Sequence, residues 1–417
     1  MNLLKTSALN SVAVLMKMLT LLGINKVLAV YVGPSGYAAL GQFQNAVQMI
    51  TTFASASINT GVTKYTAEYH DDEVKQRSIW RAAGTLALIG SLFSGALVAL
   101  FNKPLAGWFL KDASLGGVFI WFSVGLVFFS FNTLLLAVLN GKKEIPRYVV
   151  ANISGSLFAL IITAVMAQQL GLYGALVALA IYQSLSFFVT LLICRELHWF
   201  QMRHFIGRID RDSAINLSKY AAMALTSAVC VPLSLILVRD HLGATFGWSA
   251  AGYWEAISRL SAAYLMLVTT TLSVYYLPRL SELTDVTETI KELALGYKVI
   301  MPLTMLGGVT LYLMRDLVIE LLFTSEFSPM RELFAWQMLG DVLKIGGWIL
   351  AYFVLSKAMY KFYIVAEITF SISFVGLSWS LTDYFGIQGV VIAYVINYAL
   401  YWVVMAAYTY RFLKVQR

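Results

Sequence analysis

Charged residues are scarce in this 417-residue chain: Asp, Glu, Lys and Arg together make up 12% of it, where soluble domains carry about a quarter. With 59% apolar residues and a mean hydropathy of +0.74, that shortage excludes a soluble globular domain. Cysteine is nearly absent. Cys194 and Cys230 both fall within apolar stretches, which excludes a disulfide framework. The four histidines, His70, His198, His204 and His241, show no metal-ligand spacing. No glycine-rich phosphate loop or other nucleotide motif occurs, so ATP hydrolysis in this chain is excluded. Catalytic signatures are missing, and the chain is expected to be no enzyme and to need no cofactor.

What is abundant is apolar sequence in long runs. A membrane span needs about 20 such residues, and twelve candidates occur, at about 7–32, 36–62, 80–101, 115–139, 148–169, 172–194, 215–238, 250–277, 294–314, 332–356, 362–382 and 387–410. The first, preceded by Lys5, has the look of a secretory signal, but Lys17 interrupts it and no small-residue cleavage site follows, so an uncleaved first helix is expected. Placing the N-terminus in the cytoplasm puts 20 of the 30 Lys/Arg on that side and five on the other. The positive-inside bias therefore predicts a multi-pass protein with both termini cytoplasmic. The basic pI reflects topology, and no nucleic-acid partner is implied.

Two halves of the chain match at a nearly constant shift. Tyr148 meets Tyr363, Gly171-Leu172-Tyr173-Gly174 meets Gly386-Ile387-Gln388-Gly389, and Lys142 meets Lys357, all 215 apart; Ser35-Gly36-Tyr37 meets Ala251-Gly252-Tyr253 at 216. Four matches in order at one spacing predict an internal repeat. Six spans per half give the repeats one orientation, with a substrate cavity between them. The expected organisation is a six-helix lobe over 1–195, an amphipathic cytoplasmic linker over 196–213 and a second six-helix lobe over 214–417. Trp199, Phe200, Phe205, Ile206 and Ile209 among Arg203, Arg208 and Arg211 suit a linker on the inner leaflet. Pro232 and Pro302, inside spans seven and nine, are expected bending points.

Charge at membrane depth is costly and marks function. Lys17, Lys26, Arg259, Lys298 and Lys344 fall inside spans, against three acids, Glu255, Asp341 and Glu367. Such an interior suits an anionic substrate. Lys17 and Lys26 lie on opposite helix faces unless the helix bends near Gly23; Lys26 and Lys298 have the alternative of snorkelling to an interface. Glu255 and Arg259 at i,i+4 read either as an internal pair or as an anion site, Arg being the better phosphate ligand. Gln337, Asp341, Lys344 and Trp348 follow one helix face. Asp341 and Lys344 form either a structural i,i+3 pair or a cation site released to an anion, with Asp341 available as a proton site. A second stripe, Asn45, Gln48, Thr52, Ser55 and Asn59, steps by 3, 4, 3 and 4 on one face. It serves interhelical hydrogen bonds or lines a cavity. At a shift of 215, Asp341, Lys344 and Glu367 face Leu126, Phe129 and Asn152, so folding of the repeat does not itself require those charges.

The twelve spans, the basic interior and the string Leu333-Phe334-Ala335-Trp336-Gln337-Met338-Leu339-Gly340-Asp341-Val342-Leu343-Lys344 resemble the Wzx polysaccharide flippases. Val32-Gly33-Pro34-Ser35-Gly36-Tyr37 and Gly61-Val62-Thr63-Lys64-Tyr65 look similar as well, most of all to the branch serving enterobacterial common antigen. The resemblance covers the whole chain. It implies the all-α integral membrane fold of the multidrug/oligosaccharidyl-lipid/polysaccharide exporter (MOP) superfamily, which includes the MATE drug exporters. The implied arrangement is twelve transmembrane helices as two parallel six-helix repeats around a central cavity. The implied task is moving an undecaprenyl-pyrophosphate-linked oligosaccharide to the outer leaflet of a bacterial inner membrane by alternating access. Lys17, Lys26, Arg259 and Lys344 would then serve the anionic headgroup. The polar stripe with Gln337 would meet the sugars, and Asp341, Glu367 or Glu255 would couple to an ion gradient. Expected partners are the lipid-linked oligosaccharide, membrane lipids, a polysaccharide polymerase and a chain-length regulator. A drug antiporter of the same superfamily is the main alternative, with a scramblase or scaffold as a third.

Overall fold

The computed structural model describes residues 3–416 except 56–58, 208, 284 and 358, and only the backbone for 3–13, 60, 211–224, 274 and 416. Arg208 and the side chains of Lys5, Arg211 and Lys219 therefore lie outside the described residues. Every regular element among those described is helical: α1 (Leu3–Ala54), α2 (Asn59–Glu68), α3 (Glu73–Leu100), α4 (Asn102–Phe109), α5 (Gly116–Gly141), α6 (Ile145–Arg195), α7 (Arg211–Phe246), α8 (Trp248–Thr271), α9 (Leu277–Glu282), α10 (Val286–Leu313), α11 (Arg315–Leu322), α12 (Phe334–Ser356), α13 (Tyr360–Phe385) and α14 (Gln388–Gln416). Local chemistry sets several starts. The Asp72 carboxylate accepts the Lys75 amide at 3.0 Å to cap α3, Asp285 caps α10 through the Glu288 amide at 2.8 Å, and Pro146 sits in the first turn of α6.

Nine helical stretches among the described residues are long and apolar enough to cross a membrane, against the twelve expected. The difference has two physical causes. Val14–Ala54 and Ile145–Arg195, at 41 and 51 residues, each run through a glycine with non-helical dihedrals, Gly33 and Gly171. The helix Trp248–Thr271 carries Glu255 and Arg259, which lower its hydropathy. In α1 the break is at Gly33, just before Pro34, and Gly23 keeps helical dihedrals, so the condition on which Lys17 and Lys26 would share one face is not met at Gly23.

The repeat is visible in the backbone. Gly171 (φ 56°) breaks α6, and its match Gly386 (φ 58°) separates α13 from α14. An L side chain is strained at such φ, which glycine tolerates. Three residues on, a Cβ at Gly174 would lie 1.9 Å from the Met166 carbonyl oxygen, and one at Gly389 would lie 2.4 Å from that of Leu381. Element order repeats too. Short helices α4 and α11 follow α3 and α10, and Lys142 and Lys357 cap the matched helices α5 and α12.

The chain packs as two units, one comprising residues to 32 with Ala39–Pro232, the other Gly33–Ala38 with the residues from Leu233 onward. In the first, Trp80 is the centre: Trp199 lies 5.4 Å from its ring, and Phe205 stacks on it at 5.7 Å and 8°. Leu197, Trp199, His204 and Phe205 are buried, and the Thr85 hydroxyl hydrogen-bonds the Gly207 backbone at 3.0 Å. Residues 197–207 are thus docked on α3. The expectation that Trp199 and Phe205 lie on a leaflet is corrected: burying their rings against Trp80 removes more apolar surface than an interface does. Met202, Ile206 and Ile209 do face outward. In the second unit, Leu272, Tyr276, Ile345, Ile349, Phe353 and Met405 form the core joining α8, α12 and α14, with a π-helical turn at Leu272–Tyr276.

Candidate functional site

The second unit contains two buried charged clusters. The first joins α7 and α8. Glu255 is gripped from both sides: Arg239 Nη2 lies 2.6 Å from Oε2, and Arg259 Nε lies 2.7 Å from Oε1. All three are buried. Arg239 also lies over the Trp254 ring at 5.6 Å, and Arg259 over Tyr37 at 5.2 Å. Arg239 was expected beyond the end of its span. Instead α7 continues to Phe246 and carries it inside. Of the alternatives for Arg259, the internal pair is what forms.

The second cluster is built on α12. Asp341 is fully buried and accepts hydrogen bonds from Tyr264 (3.0 Å, on α8), Tyr394 (3.0 Å, on α14) and the Gln337 amide (3.2 Å). The Lys344 amine makes no ion pair with it within 4 Å. It rests instead over three rings, Trp348 at 4.7 Å, Tyr398 at 5.5 Å and Tyr394 at 5.8 Å. The expected Asp341–Lys344 contact is therefore corrected, because two phenols and an amide already satisfy the carboxylate. Tyr394 belongs to both shells. Its approach depends on Gly340, where a Cβ would lie 2.2 Å from the ring. Gly346 and Gly347 do the same for Trp402 and Tyr401, at 2.8 and 2.7 Å. Glycines on α12 thus admit the aromatic face of α14.

Glu367, half-buried on α13, lines a cavity of about 150 Å³ with Trp348, Tyr352, Tyr363 and Tyr401, and the Tyr363 hydroxyl hydrogen-bonds it. Trp348 is shared between this cavity and the Lys344 cage. The other predicted residues lie on α1 and α2 of the first unit. Lys17 is exposed and Lys26 half-buried; Lys298, on α10 of the second unit, is exposed. Asn45 is buried with its Nδ2 unpartnered, Gln48 is exposed, and the Thr52 hydroxyl turns back to the Gln48 carbonyl at 2.7 Å. The single five-residue face is corrected. The helix ends at Ala54, Ser55 sits in the following turn, and Asn59 opens α2.

Sequence reasoning missed Arg239, Tyr264, Tyr394 and Tyr398. The i,i+4 spacing of Tyr394 and Tyr398, continued by Tyr401 and Trp402, was the available signal for one aromatic helix face. Among the described residues no group of three or more His, Cys, Asp or Glu stands ready to hold a metal.

A family model described as Polysaccharide biosynthesis protein matches residues 3–284. Lipid III flippases of Escherichia coli (strain K12) and Shigella flexneri are each 31% identical over 402 residues, covering 96% of this chain and 96% of each relative. An inward-facing multidrug resistance MATE family transporter of the MOP superfamily superposes with a TM-score of 0.76 at 16% identity, over 96% of this chain and 95% of that one. A MOP superfamily transporter from Pyrococcus furiosus, described as having a binding pocket of reverse polarity, gives 0.68 at 16% over the same shares. These structures share the fold.

Proposed function

The chain belongs to the polysaccharide biosynthesis protein family, and we propose that it carries an undecaprenyl-pyrophosphate-linked oligosaccharide, a lipid III or O-antigen unit, from the cytoplasmic to the periplasmic leaflet of a bacterial inner membrane. It is a multi-pass flippase for a lipid-linked oligosaccharide and not an enzyme: the chemistry is transfer of a polar headgroup through hydrocarbon, with no bond made or broken. A pyrophosphate cannot cross unaided, and a fixed cation at membrane depth lowers that barrier.

The observation that carries this reading is Lys344. Its charge is held by ring faces and, among the described residues, by no carboxylate within 4 Å, so it stays available to an incoming anion. Arg259 and its partner Arg239 add positive field from the clamp on Glu255, and Lys17 and Lys26 are further candidate contacts for the anionic headgroup. Asn45, Gln48, Thr52, Ser55, Asn59 and Gln337 offer hydrogen bonds to sugar hydroxyls. Asp341 and Glu367, which no cation among the described residues contacts within 4 Å, couple the cycle to an ion gradient or to membrane potential. Glu255 serves mainly to hold its two guanidinium groups. Both termini are cytoplasmic, the repeats over 1–195 and 214–417 alternate in access, and a polymerase and chain-length regulator take the product.

A MATE-type drug antiporter shares the fold but needs a cavity that favours cations. Purified protein in liposomes separates the two. Labelled lipid-linked oligosaccharide should reach the far leaflet, faster under an imposed proton gradient or potential, while a cationic dye should not accumulate. Dye transport without lipid flipping would contradict the proposal.

A further inference from the structure

A cleft of about 780 Å³ opens in the second unit along α10, α12 and α14, lined by no residue of either charged cluster. Its floor is the stacked pair Tyr297 and Trp402, 5.9 Å apart at 12°. Their polar atoms are already used: Trp402 Nε1 donates to the Tyr297 hydroxyl at 2.8 Å, which donates to the Gly346 carbonyl at 2.6 Å. The Tyr297 and Trp402 rings therefore line the cleft with their polar hydrogens already donated, together with Leu413. Two features break the apolar lining. Thr409 is 3% exposed, and its hydroxyl has no hydrogen-bond partner. Lys414 and the exposed Tyr410 stand at the mouth, in the last turns of α14.

We propose that this cleft seats one acyl chain of an anionic phospholipid, in the leaflet on the side of Lys414. The phosphate rests on the Lys414 amine, and an ester carbonyl accepts the Thr409 hydrogen. An apolar cleft in a membrane-spanning unit is poorly filled by water, which needs two or more polar partners. A buried hydroxyl without a partner is equally unusual and calls for an acceptor in the space it lines. A glycerophospholipid supplies both, an apolar chain and a carbonyl one short step from a phosphate. Thr409 and Lys414 are five residues apart, about 7.5 Å of helical rise, which the flexible lysine stem shortens onto the phosphate. Lys414, the cation among the described lining residues, selects anionic over zwitterionic headgroups. None of Arg239, Arg259, Lys344 or Glu367 lines the cleft, so its occupant is distinct from the transported lipid.

The test is thermal melting and native mass spectrometry of the full-length protein in detergent. It is titrated with phosphatidylglycerol, with phosphatidylethanolamine of the same acyl chains, and with undecaprenyl phosphate. Phosphatidylglycerol should bind more tightly and raise the melting temperature further than phosphatidylethanolamine. Lys414→Gln should cut that preference about fivefold, the weight of one basic side chain at an anionic surface. Thr409→Val should raise the melting temperature of lipid-free protein, since an unpartnered hydroxyl is removed, yet shrink the rise caused by phosphatidylglycerol. Ala406→Trp, which fills the cleft, should abolish that rise. Equal responses to the two phospholipids, or an unchanged response in Thr409→Val, would overturn the proposal. So would a response to undecaprenyl phosphate alone, which would give the cleft to the substrate's own chain.

Discussion

Asp341 and Lys344 stand three residues apart on α12 and make no ion pair within 4 Å; Tyr394 lies between them, its hydroxyl on the carboxylate and its ring under the amine. Tyr394 separates the two charges as well as connecting them. Tyr394→Phe removes a donor from a fully buried acceptor and should cost about 1–3 kcal/mol, read as a lower melting temperature. It keeps the ring, so the support under Lys344 should survive.

Gly340→Ala reaches the same pair from the backbone. The new methyl would lie 2.2 Å from the Tyr394 ring. The ring must move away from Asp341, at an overpacking cost of about 1–3 kcal/mol. Transport should fall with stability, and combining Gly340→Ala with Tyr394→Phe should destabilise by less than the sum of the two, because both break one contact.

Glu255→Gln leaves two guanidinium groups buried around a neutral amide. Breaking a buried pair in this way costs about 3–5 kcal/mol, and much of the protein should fail to fold or melt early in detergent. Glu255→Asp, which keeps the charge but shortens the reach, should lie between Glu255→Gln and the unaltered protein in the same melting assay.

Gly171→Ala and Gly386→Ala form a matched pair. Neither Cβ would meet an atom within 4 Å, so the cost is left-handed backbone strain alone, about 1–2 kcal/mol each. The two should destabilise equally and additively, as expected of equivalent sites in separate packing units. Unequal costs would contradict the equivalence of the two breaks.

Burial pushes the His204 imidazole below its ordinary value, assisted by the nearby Arg77, Arg203 and Arg81 and opposed by its contact with the Trp199 carbonyl. The unfolded chain therefore binds this proton more readily, and the stability of the docked 197–207 segment rises with pH through the region below about 6.5. Acidification from pH 7 towards 5 should increase hydrogen exchange in residues 197–207, and His204→Phe should flatten that dependence.

Apolar run length made the all-helical membrane fold legible, and the 215-residue shift paired Gly171 with Gly386, because both are properties of the chain as written; that the two glycines break their helices came from the backbone. Lys344, Asp341 and Glu367 were legible because a charge in an apolar run has no camouflage. Their partners were not. Tyr264, Tyr394 and Tyr398 read as ordinary core aromatics until α8 and α14 bring their hydroxyls and faces to α12. Arg239 was missed because hydropathy ended its span at the charge itself, whereas a buried Glu255 lets the helix continue through it. The five-residue polar stripe failed for a similar reason. Periodicity assumes one unbroken helix, and α1 stops at Ala54.

The most direct test of the central claim, that the Lys344 charge serves an anionic headgroup, is the flipping rate of labelled lipid-linked oligosaccharide in liposomes containing Lys344→Glu or Lys344→Arg at matched, folded protein levels. Arginine keeps the cation over the rings, and that protein should flip at a rate within an order of magnitude of the unaltered one, whereas the glutamate variant should show no flipping above protein-free vesicles. Flipping by Lys344→Glu at the unaltered rate would contradict the account.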